Sequence, residues 1–345
     1  MSATRETPDA PRAAILLINT GSPAAPEAGA VREYLAEFLS DTRVIELPKW
    51  KWWPILHGII LRVRPAKSAE RYRGVWLPEG SPLIVHTERT AARLQAAMDE
   101  RTGGAVRVAW AMRYGRPAAD EVFRGLVDSG IERVLVMPLF AQYAAQTSAA
   151  CLDRIFETAL TMRSVPAIRT VRDYHLDEGY IGALVEHLRN FWAREGDPRA
   201  TGGRLVMSFH GIPAKSSELG DVYERHCHET AARLAERLML AEDEWSVCFQ
   251  SRFGRDEWLQ PYTLPFVEGL GREGVARVDV ICPGFAADCL ETIEEIGDEL
   301  KRAYLTANPT GTFKYIPALN ATDEAIRAYT EIAMRELSGW VSGKA

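Results

Sequence analysis

An internal repeat constrains the fold of this sequence more than any other feature. Each half opens with an apolar run that ends in Gly-x-Pro, residues 15–23 in the first half and 204–213 in the second. Each half then carries an Arg-aromatic-Gly-Arg block, within 112–116 and 251–255, and later a Gly-[Ile/Val]-x-Arg-Val strand that ends near a proline. Three matching blocks in the same order predict a duplicated structural unit.

Short apolar, β-branched runs alternate with stretches of helical period in both halves. The predicted strands are 14–19, 106–112, 133–139, 168–171, 204–209, 246–250, 277–282 and 313–316. The main predicted helices are 31–39, 87–98, 118–128, 180–192, 223–238 and 289–304. This alternation is typical of βαβ units. We therefore predict a duplicated α/β unit with parallel sheets that carry helices on both faces, whose ligand lies in the cleft between the halves at the carboxyl ends of the strands.

The repeat also predicts the domain boundaries. Residues 1–12 are polar and lack the apolar core of a signal peptide, so we expect a disordered lead-in. The first domain is expected over 13–165 and the second over 166–318, which leaves 319–345 as a C-terminal segment.

Composition argues against several classes of function. A net charge of −6 argues against a nucleic-acid partner, because phosphate binding requires a basic face. No run of about 18 apolar residues is present, so no segment is expected to span a membrane. The five cysteines form no Cys-x-x-Cys pair, which fits a reducing cytoplasm and gives no iron–sulfur or structural zinc signature. In the His-Cys-His run 226–228, adjacent side chains point in different directions, so no shared metal is expected there.

The two halves differ where ionisable groups could carry chemistry. His210 ends an apolar strand at the position that Thr20 occupies in the first half. A histidine there can keep one ring nitrogen free to take a proton or bind a metal, the alternative being a ring satisfied by a backbone carbonyl. The helix predicted after Pro283 is acidic, whereas Gln146, Thr147 and Ser148 follow Pro138 in the first half. The chemistry is therefore expected in the second half, with the first half holding the substrate.

Three carboxylates of the acidic helix, Glu291, Glu295 and Glu299, step by four and should form one row along its axis. Such a row could pass metal ions or protons. Two alternatives remain open, a capping box between Asp288 and Glu291 and a merely solvated acidic face. The absence of a nearby basic partner favours the cation path over a solvated face. It concerns five acidic residues of this helix: Glu291, Glu294, Glu295, Asp298 and Glu299.

An aromatic and apolar segment, residues 47–62, follows the first predicted helix. It holds three tryptophans, Trp50, Trp52 and Trp53, interleaved with lysines and two prolines. This pattern predicts an exposed apolar lip for a flat hydrophobic ligand, a membrane surface, or both. Cations that could meet carboxylates of a ligand come next: Arg62, Arg64, Lys67, Arg71 and Arg73.

Together these features resemble the ferrochelatase family, from about Ala14 to Asn320. The blocks that carry the resemblance are 19–23, 64–72, 79–83, 112–114, 138–143, 208–213, 249–254 and 282–292. Each block is weak alone, but all of them occur in the family's order.

The resemblance implies a lyase of haem and porphyrin biosynthesis that inserts Fe²⁺ into protoporphyrin IX, giving protohaem and two protons. It also implies an α/β fold of two similar Rossmann-like, doubly wound parallel-sheet domains that face each other across a porphyrin cleft, with a C-terminal helix, 319–345, returning to the first domain. Porphyrin and ferrous iron are then the expected partners. The implied catalytic residues are His210 and Glu291, and the implied metal ligands are His210, Glu291, Glu295 and Glu299. The implied porphyrin-binding residues are Arg64, Tyr72, Ser81, Arg113 and Tyr114. We assign His210 as first base or metal ligand, Glu291 as its partner, and Glu295 with Glu299 as a relay.

The sequence departs from those family members that bind an iron–sulfur cluster. Such members use a cysteine just before the region of Thr147 together with a C-terminal cysteine group. Here Ala144 and Ala145 stand in that region and no cysteine follows Cys289. We therefore expect no iron–sulfur cluster and no permanently bound cofactor. The expected location is the cytoplasm, with peripheral contact at the inner face of the membrane through Trp50–Leu61.

Three related functions stay open at this point. A coproporphyrin ferrochelatase would share the same site residues. A cobalt or nickel chelatase shares the architecture, usually in a shorter chain with a second histidine at the position of Glu291. A non-catalytic porphyrin or haem carrier would need an axial ligand but no row of carboxylates.

Overall fold

Two four-stranded parallel sheets form the framework of the computed structural model, which describes residues 11–254 and 256–341. The first sheet contains β1 (Ala13–Gly21), β2 (Val106–Tyr114), β3 (Arg133–Pro138) and β4 (Ala167–Thr170), in the order β2-β1-β3-β4. The second contains β5 (Arg204–His210), β6 (Trp245–Gln250), β7 (Arg277–Ile281) and β8 (Thr312–Ile316), in the order β6-β5-β7-β8. All eight predicted strands are present, and the predicted fold class is confirmed. Most of the lead-in predicted for 1–12 lies outside the described residues.

Helices cover both faces of the sheets. They are α1 (Ala28–Phe38), α2 (Lys49–Ile55), α3 (Leu61–Val75), α4 (Pro82–Thr102), α5 (Ala119–Asp128), α6 (Ala150–Leu160), α7 (Glu178–Glu195), α8 (Ala214–Glu218), α9 (Tyr223–Leu238), α10 (Thr263–Arg272), α11 (Lys301–Ala307) and α12 (Asp323–Glu336). Three π-helical segments, Leu56–Ile60, Ala145–Ala149 and Glu291–Leu300, join some of them. Local chemistry sets both ends of α4: Pro82 lies in its first turn, and Gly103 ends it at φ 70°.

The helix predicted over 289–304 is divided in the structure. Its first part, Glu291–Leu300, is a π-helix, and α11 continues from Lys301. A π-helix bonds residues five apart in place of four, and it occurs often at functional sites. The apolar residues of this stretch recur every three or four positions, which fits either kind of helix, so the sequence pattern could not distinguish them.

The pairing register shows which residues of the two halves are equivalent. Leu17 pairs with Met137 in the first sheet, and Met207 pairs with Ile281 in the second. Thr20 lies three residues after Leu17, and His210 three residues after Met207. The predicted equivalence of Thr20 and His210 therefore holds.

One of the three repeat blocks is aligned wrongly by the sequence. The Met112 amide donates to the carbonyl of Pro117 at 2.7 Å, and the Phe249 amide donates to that of Pro261 at 2.9 Å. Met112 is thus equivalent to Phe249, whereas the sequence match equated it with Ser251. The connection to the next helix is longer in the second half. Ser251 is the first residue of this longer connection.

The two halves share one apolar core. Ile15 and Leu17 of β1 belong to the same buried cluster as Leu205 and Met207 of β5. Helices α7, α9 and α12 contribute to this cluster as well. The halves are therefore packed against each other through buried side chains.

The predicted domain boundaries need one correction. β4 pairs with β3, so the first unit extends at least to Thr170 and the boundary predicted at 165 is too early. A short β-branched strand is easily assigned to the wrong side of a boundary. At the other end, α12 packs on α7 and α4, and Arg101 pairs with Glu331 at 2.5 Å.

The lip predicted over 47–62 is helical and has two faces. Trp50 and Trp53 are 74% and 62% exposed, and Ile59 is 58% exposed. Leu56 is buried, and the Trp52 indole donates to the carbonyl of Leu39 at 2.6 Å. The expectation of three exposed tryptophans is therefore wrong for Trp52, which anchors the segment. No helix within the described residues is long and apolar enough to cross a bilayer.

Candidate active site

His210 is half-buried and lies at the carboxyl end of β5. Its Nδ1 lies 2.7 Å from the carbonyl of Gly211, so Nδ1 carries the proton and donates to this oxygen. The aromatic rings of Trp258 and Phe285 lie nearby, with centroids 6.3 and 6.4 Å from that of the imidazole. Both sequence readings of His210 are thus realised at once. The backbone contact fixes the tautomer, and Nε2 keeps a lone pair for a proton or a metal.

Glu295 is the carboxylate whose charge interacts with His210. The Ser251 amide and hydroxyl both donate to it, at 2.7 and 2.6 Å. Burial raises the pKa of Glu295, while the two Ser251 contacts and, when its ring is protonated, the charge of His210 oppose this increase. Ser251 has φ 64°, a left-handed conformation that is unfavourable for a residue other than glycine. The strained backbone aims two donors at one carboxylate and so holds it in place.

Glu291 lies at the start of the π-helix and faces the first half. Burial, followed by the negative charge of Glu291, raises the pKa of Tyr34. The side-chain amide of Gln250 donates to the main-chain carbonyl of Glu291 at 2.9 Å, which ties the π-helix to the end of β6. No hydrogen bond joins Glu291 to His210 within the described residues. In this structure, Glu295 is the better placed of the two to act with His210.

Arg71 of α3 provides the basic partner that the sequence did not assign to the acidic helix. Its guanidinium forms an ion pair with Glu294, with Nε at 2.9 Å, and approaches Glu299 to 3.9 Å. Asp298 pairs with Arg302 at 3.2 Å. The premise of five unpartnered acids was therefore wrong, because the pairing residues are distant in sequence or one turn further on. Glu299 is an exposed member of the row, at its outer end.

Asp288 is buried and does not form the capping box considered above. Its carboxylate accepts from the hydroxyls of Thr292 and Tyr315 and from the amide group of Asn320, the last at 2.7 Å. It also accepts from the backbone amide of Ala318. Asp288 therefore anchors the start of the π-helix to β8 and to the segment before α12.

The opposite wall of the site comes from the first half. Arg64 places its guanidinium 4.5 Å from the centre of the Phe253 ring. Burial, followed by the neighbouring charge of Arg71, lowers the pKa of Arg64. Arg64 has no carboxylate partner within 4.0 Å among the residues that the structure describes, so this partly desolvated cation is available to an anionic ligand. Tyr72 is buried beside Trp76, and Ser81 is buried at the start of α4.

Arg113 and Tyr114 are engaged by a residue that the sequence reasoning missed. The Tyr114 hydroxyl donates to Asp41 at 2.8 Å, and the Arg113 guanidinium pairs with the same carboxylate. The side chains of Arg113 and Asp41 are only 12% and 9% exposed. Their polar groups stabilise the first half, and their predicted role as ligand residues stays a prediction. No sequence signal pointed to Asp41, which lies more than 70 residues from both partners.

The sequence of this chain matches known proteins over nearly its full length. The model of the family described as Ferrochelatase matches residues 12–337. A ferrochelatase from Aromatoleum aromaticum is 50% identical over 338 residues, which cover 98% of this chain and 91% of that protein. A ferrochelatase from Methylibium petroleiphilum is 51% identical over 331 residues, which cover 96% of this chain and 90% of that protein.

The chain belongs to the ferrochelatase family.

Solved structures agree with the ferrochelatase assignment at the level of the fold. SirB from Bacillus subtilis, determined with Fe³⁺, has a TM-score of 0.53 and 14% sequence identity, and the match covers 94% of this chain and 96% of SirB. The sirohydrochlorin chelatase SirB from Bacillus subtilis subspecies spizizenii, in complex with cobalt, has a TM-score of 0.53 at 12% identity, with 95% and 97% covered. The family match and the relatives at about 50% identity confirm the resemblance to ferrochelatases and the class of metal-chelating lyase.

The structure unites the predicted ferrochelatase site residues only in part. It brings Glu295 near His210 and Glu291 near Tyr72, and it places Arg64 against Phe253 of the second half. Glu299 lies at the exposed end of the π-helix, and Arg113 with Tyr114 are tied to Asp41. Ser251 and Gln250 were recognised only as parts of a family block.

Proposed function

We propose that this chain inserts Fe²⁺ into protoporphyrin IX to give protohaem and two protons, the last step of haem biosynthesis. The observation that carries the proposal is that His210, whose Nδ1–H is held by a backbone carbonyl, lies near enough to the carboxylate of Glu295, held by Ser251, for their charges to interact. An imidazole and a carboxylate suit both tasks of the reaction, because one group can accept pyrrole protons and both can replace water around ferrous iron.

His210 is the proposed first acceptor of a pyrrole proton. Its Nδ1–H is held by the Gly211 carbonyl, so Nε2 is the basic nitrogen. The imidazolium that forms would be stabilised by the negative charge of Glu295, which is kept in place by Ser251. Glu291 and Glu299 are proposed as further metal ligands along the π-helix. Arg71, paired with Glu294, would then reduce the net negative charge at its outer end.

The first half is the proposed porphyrin holder. A porphyrin carries propionate groups, and Arg64 is a half-buried guanidinium able to bind a carboxylate in a bidentate manner. Tyr72 and Ser81 are proposed to contact the ring from the same side. Holding the ring against these groups while it bends would turn a nitrogen lone pair outward, which is a form of ground-state distortion. Arg113 and Tyr114 would line the cleft with their positions fixed by Asp41.

The lip is the proposed point of contact with a membrane surface. Trp50, Trp53 and Ile59 are its large exposed apolar residues, and Val63, just after the lip, is 68% exposed. Lys51 lies 5.1 Å from the Trp50 ring, so cations border the apolar residues. This combination suits an anionic lipid interface and supports a cytoplasmic enzyme that binds peripherally to the inner face of the membrane.

No iron–sulfur cluster is proposed for this protein. The five cysteines are all free and buried, and burial raises the pKa of the thiols of Cys151, Cys227, Cys248, Cys282 and Cys289. Buried, protonated and separate thiols do not suit a cluster, which needs thiolates. We expect a colourless purified protein; about two iron and two sulfide per chain with visible charge-transfer bands would contradict this expectation.

A turnover assay tests the proposed reaction. The purified protein is given Fe²⁺ with protoporphyrin IX or with coproporphyrin, under reducing and oxygen-free conditions, and haem formation is followed by its absorption. We expect multiple turnovers with protoporphyrin IX. Faster turnover with coproporphyrin would reassign the substrate, and stoichiometric porphyrin binding without turnover would indicate a carrier. Parallel reactions with Co²⁺, Ni²⁺ and sirohydrochlorin test the other chelatase activities.

A further inference from the structure

A second cluster of metal-ligating side chains lies at the contact between the two halves. Asp173 and His175 come from the segment between β4 and α7, and His226 comes from α9. One carboxylate oxygen of Asp173 and one ring nitrogen of each histidine lie within 4.8 Å of one another. Across residues 11–254 and 256–341, this is the one group of three such side chains with ligand atoms so close together.

The contacts of His175 are those of a histidine oriented for a metal. Its Nδ1 lies 3.1 Å from an oxygen of Asp173, and its Nε2 lies 2.8 Å from an oxygen of Glu229. Metal-bound histidines usually donate their second ring N–H to a carboxylate, which fixes the ring and raises its basicity. Glu229 is placed to accept this N–H, and a cation could take the position of the proton between Nδ1 and Asp173.

His226 offers the third ligand. His226 is buried, and a ring nitrogen that accepts a hydrogen bond carries a lone pair. Its Nδ1 accepts from the Tyr143 amide at 3.3 Å, a long contact that is easily replaced. The two imidazoles are stacked, with centroids 3.5 Å apart and planes 9° from parallel. A shared ion would tilt the rings so that both lone pairs converge on it.

The charges around the cluster permit an alternative. Arg172 pairs with Asp173 at 2.5 Å, and Arg225 pairs with Glu229 at 3.2 Å, so each carboxylate already has a cation. His175 between two carboxylates could also carry a second proton and stack on neutral His226. Metal binding and this protonated stack exclude each other, because both use Nδ1 of His175. The experiment below separates them.

We propose that Asp173, His175 and His226 form a second divalent-metal site, with Glu229 as the outer carboxylate. Two histidines and one carboxylate are a donor set for borderline ions such as Fe²⁺, Co²⁺ and Zn²⁺, and they leave coordination positions open. Asp173 is partly exposed, which gives the ion a route from solvent. A bound ion would tie the segment between β4 and α7 to α9. The proposal does not depend on the reaction at His210.

Cobalt binding to the full-length protein without porphyrin tests the site. Co²⁺ is titrated into wild type, His226→Ala and His228→Ala while heat and visible absorption are recorded. His228 is exposed on the same helix and lies outside the cluster, so it is the matched control. We expect His226→Ala to lose one equivalent of Co²⁺, or to bind it at least tenfold more weakly, and His228→Ala to match wild type. A His210→Ala variant, which loses any Co²⁺ bound at His210, should still bind the equivalent held by the second site.

Two further variants keep the test decisive if His226→Ala does not fold. Asp173→Asn changes a partly exposed side chain and should also lose the equivalent. Glu229→Gln should weaken it about 10- to 100-fold, the usual effect of removing a carboxylate behind a metal-bound histidine. Saturating Zn²⁺ should raise the melting temperature of wild type and His228→Ala by more than that of His226→Ala and Asp173→Asn. Unchanged Co²⁺ binding in both His226→Ala and Asp173→Asn would overturn the proposal in favour of the protonated stack.

Discussion

The two halves of the molecule share one backbone plan and use it differently. Counting from the paired strand residues Met137 and Ile281, Thr147 and Glu291 both lie ten positions further on, and Cys151 and Glu295 both lie fourteen further on. A π-helical segment follows the third strand of each sheet. The repeated feature is therefore the scaffold, including its irregular helix. The chemistry lies in a few side chains that differ between equivalent positions.

The halves also treat their ionisable groups in opposite ways. In the first half, Asp41 holds Arg113 and Tyr114 in a buried set of hydrogen bonds that is closed on itself. In the second half, Glu295 is held by Ser251 while His210 keeps a free nitrogen. A buried ion pair whose polar groups are all hydrogen-bonded fixes the surrounding side chains in position. A held carboxylate beside a free imidazole can instead exchange protons or bind a metal.

Replacing the equivalent residues Thr20 and His210 tests this division most directly. His210→Ala should reduce kcat/KM for haem formation at least 100-fold, the lower range for loss of a general base. Thr20→Ala should change it less than about twofold, well below the tenfold that corresponds to 1.4 kcal/mol of transition-state stabilisation. A His210→Ala variant that keeps more than a tenth of wild-type kcat/KM would remove His210 from the mechanism.

The structural role of Asp41 should be visible in stability. Asp41→Ala leaves the buried Arg113 without its carboxylate, so the free energy of unfolding should fall by about 3 kcal/mol. Asp153→Ala is the control, because its ion pair with Arg43 at 2.7 Å is exposed and should contribute less than about 1 kcal/mol. Urea unfolding measures both. Equal decreases in the free energy of unfolding of the two variants would show that the hydrogen bonds of Asp41 stabilise the protein no more than the exposed ion pair does.

Two substitutions of Ser251 distinguish the effect of its hydrogen bond to Glu295 from the effect of its backbone strain. Its hydroxyl lowers the pKa of a carboxyl that burial raises, so Ser251→Ala and Ser251→Gly should both raise that pKa further. Activity that needs ionised Glu295 is lost as the pH falls through its pKa, so the acid limb of kcat should move to higher pH in both. Only Ser251→Gly relieves the φ of 64°, and it should be more stable than Ser251→Ala by about 1 kcal/mol. If neither pH profile moves, Ser251 does not act through Glu295.

The smallest effects are expected at the lip, which has no counterpart in the second half. Replacing exposed Trp50 and Trp53 with alanine should weaken sedimentation with anionic vesicles and raise KM for porphyrin, with little change in melting temperature. Trp52→Phe should lower the melting temperature and leave vesicle binding unchanged, because it loses a hydrogen bond to Leu39 worth about 1 kcal/mol. Unaltered vesicle binding in the double variant would exclude the membrane role.

The sequence predicted what depends on local periodicity. The eight strands were recognisable because each is a short apolar run between breakers, and the equivalence of Thr20 and His210 followed from the motifs around them. The π-helix was missed because apolar spacing does not reveal its hydrogen bonds. Contacts between distant segments were missed for a different reason: nothing near Asp41 indicates Arg113, and nothing near His226 indicates His175. The basic partner of Glu294 was taken for a substrate ligand, because Arg71 lies 223 residues away.

The position of α12 has a consequence for the order in which the molecule is made. This helix buries Ile326, Tyr329 and Ile332 in the same cluster as Leu94 and Met98 of α4, which the ribosome has synthesised more than 200 residues earlier. Domains generally fold from the N-terminus during synthesis, so α4 must wait with an uncovered apolar face. A nascent chain that stalls before Asp323 would expose this face to other chains. Synthesis of α12 therefore determines when the apolar face of α4 is covered and no longer available to other chains.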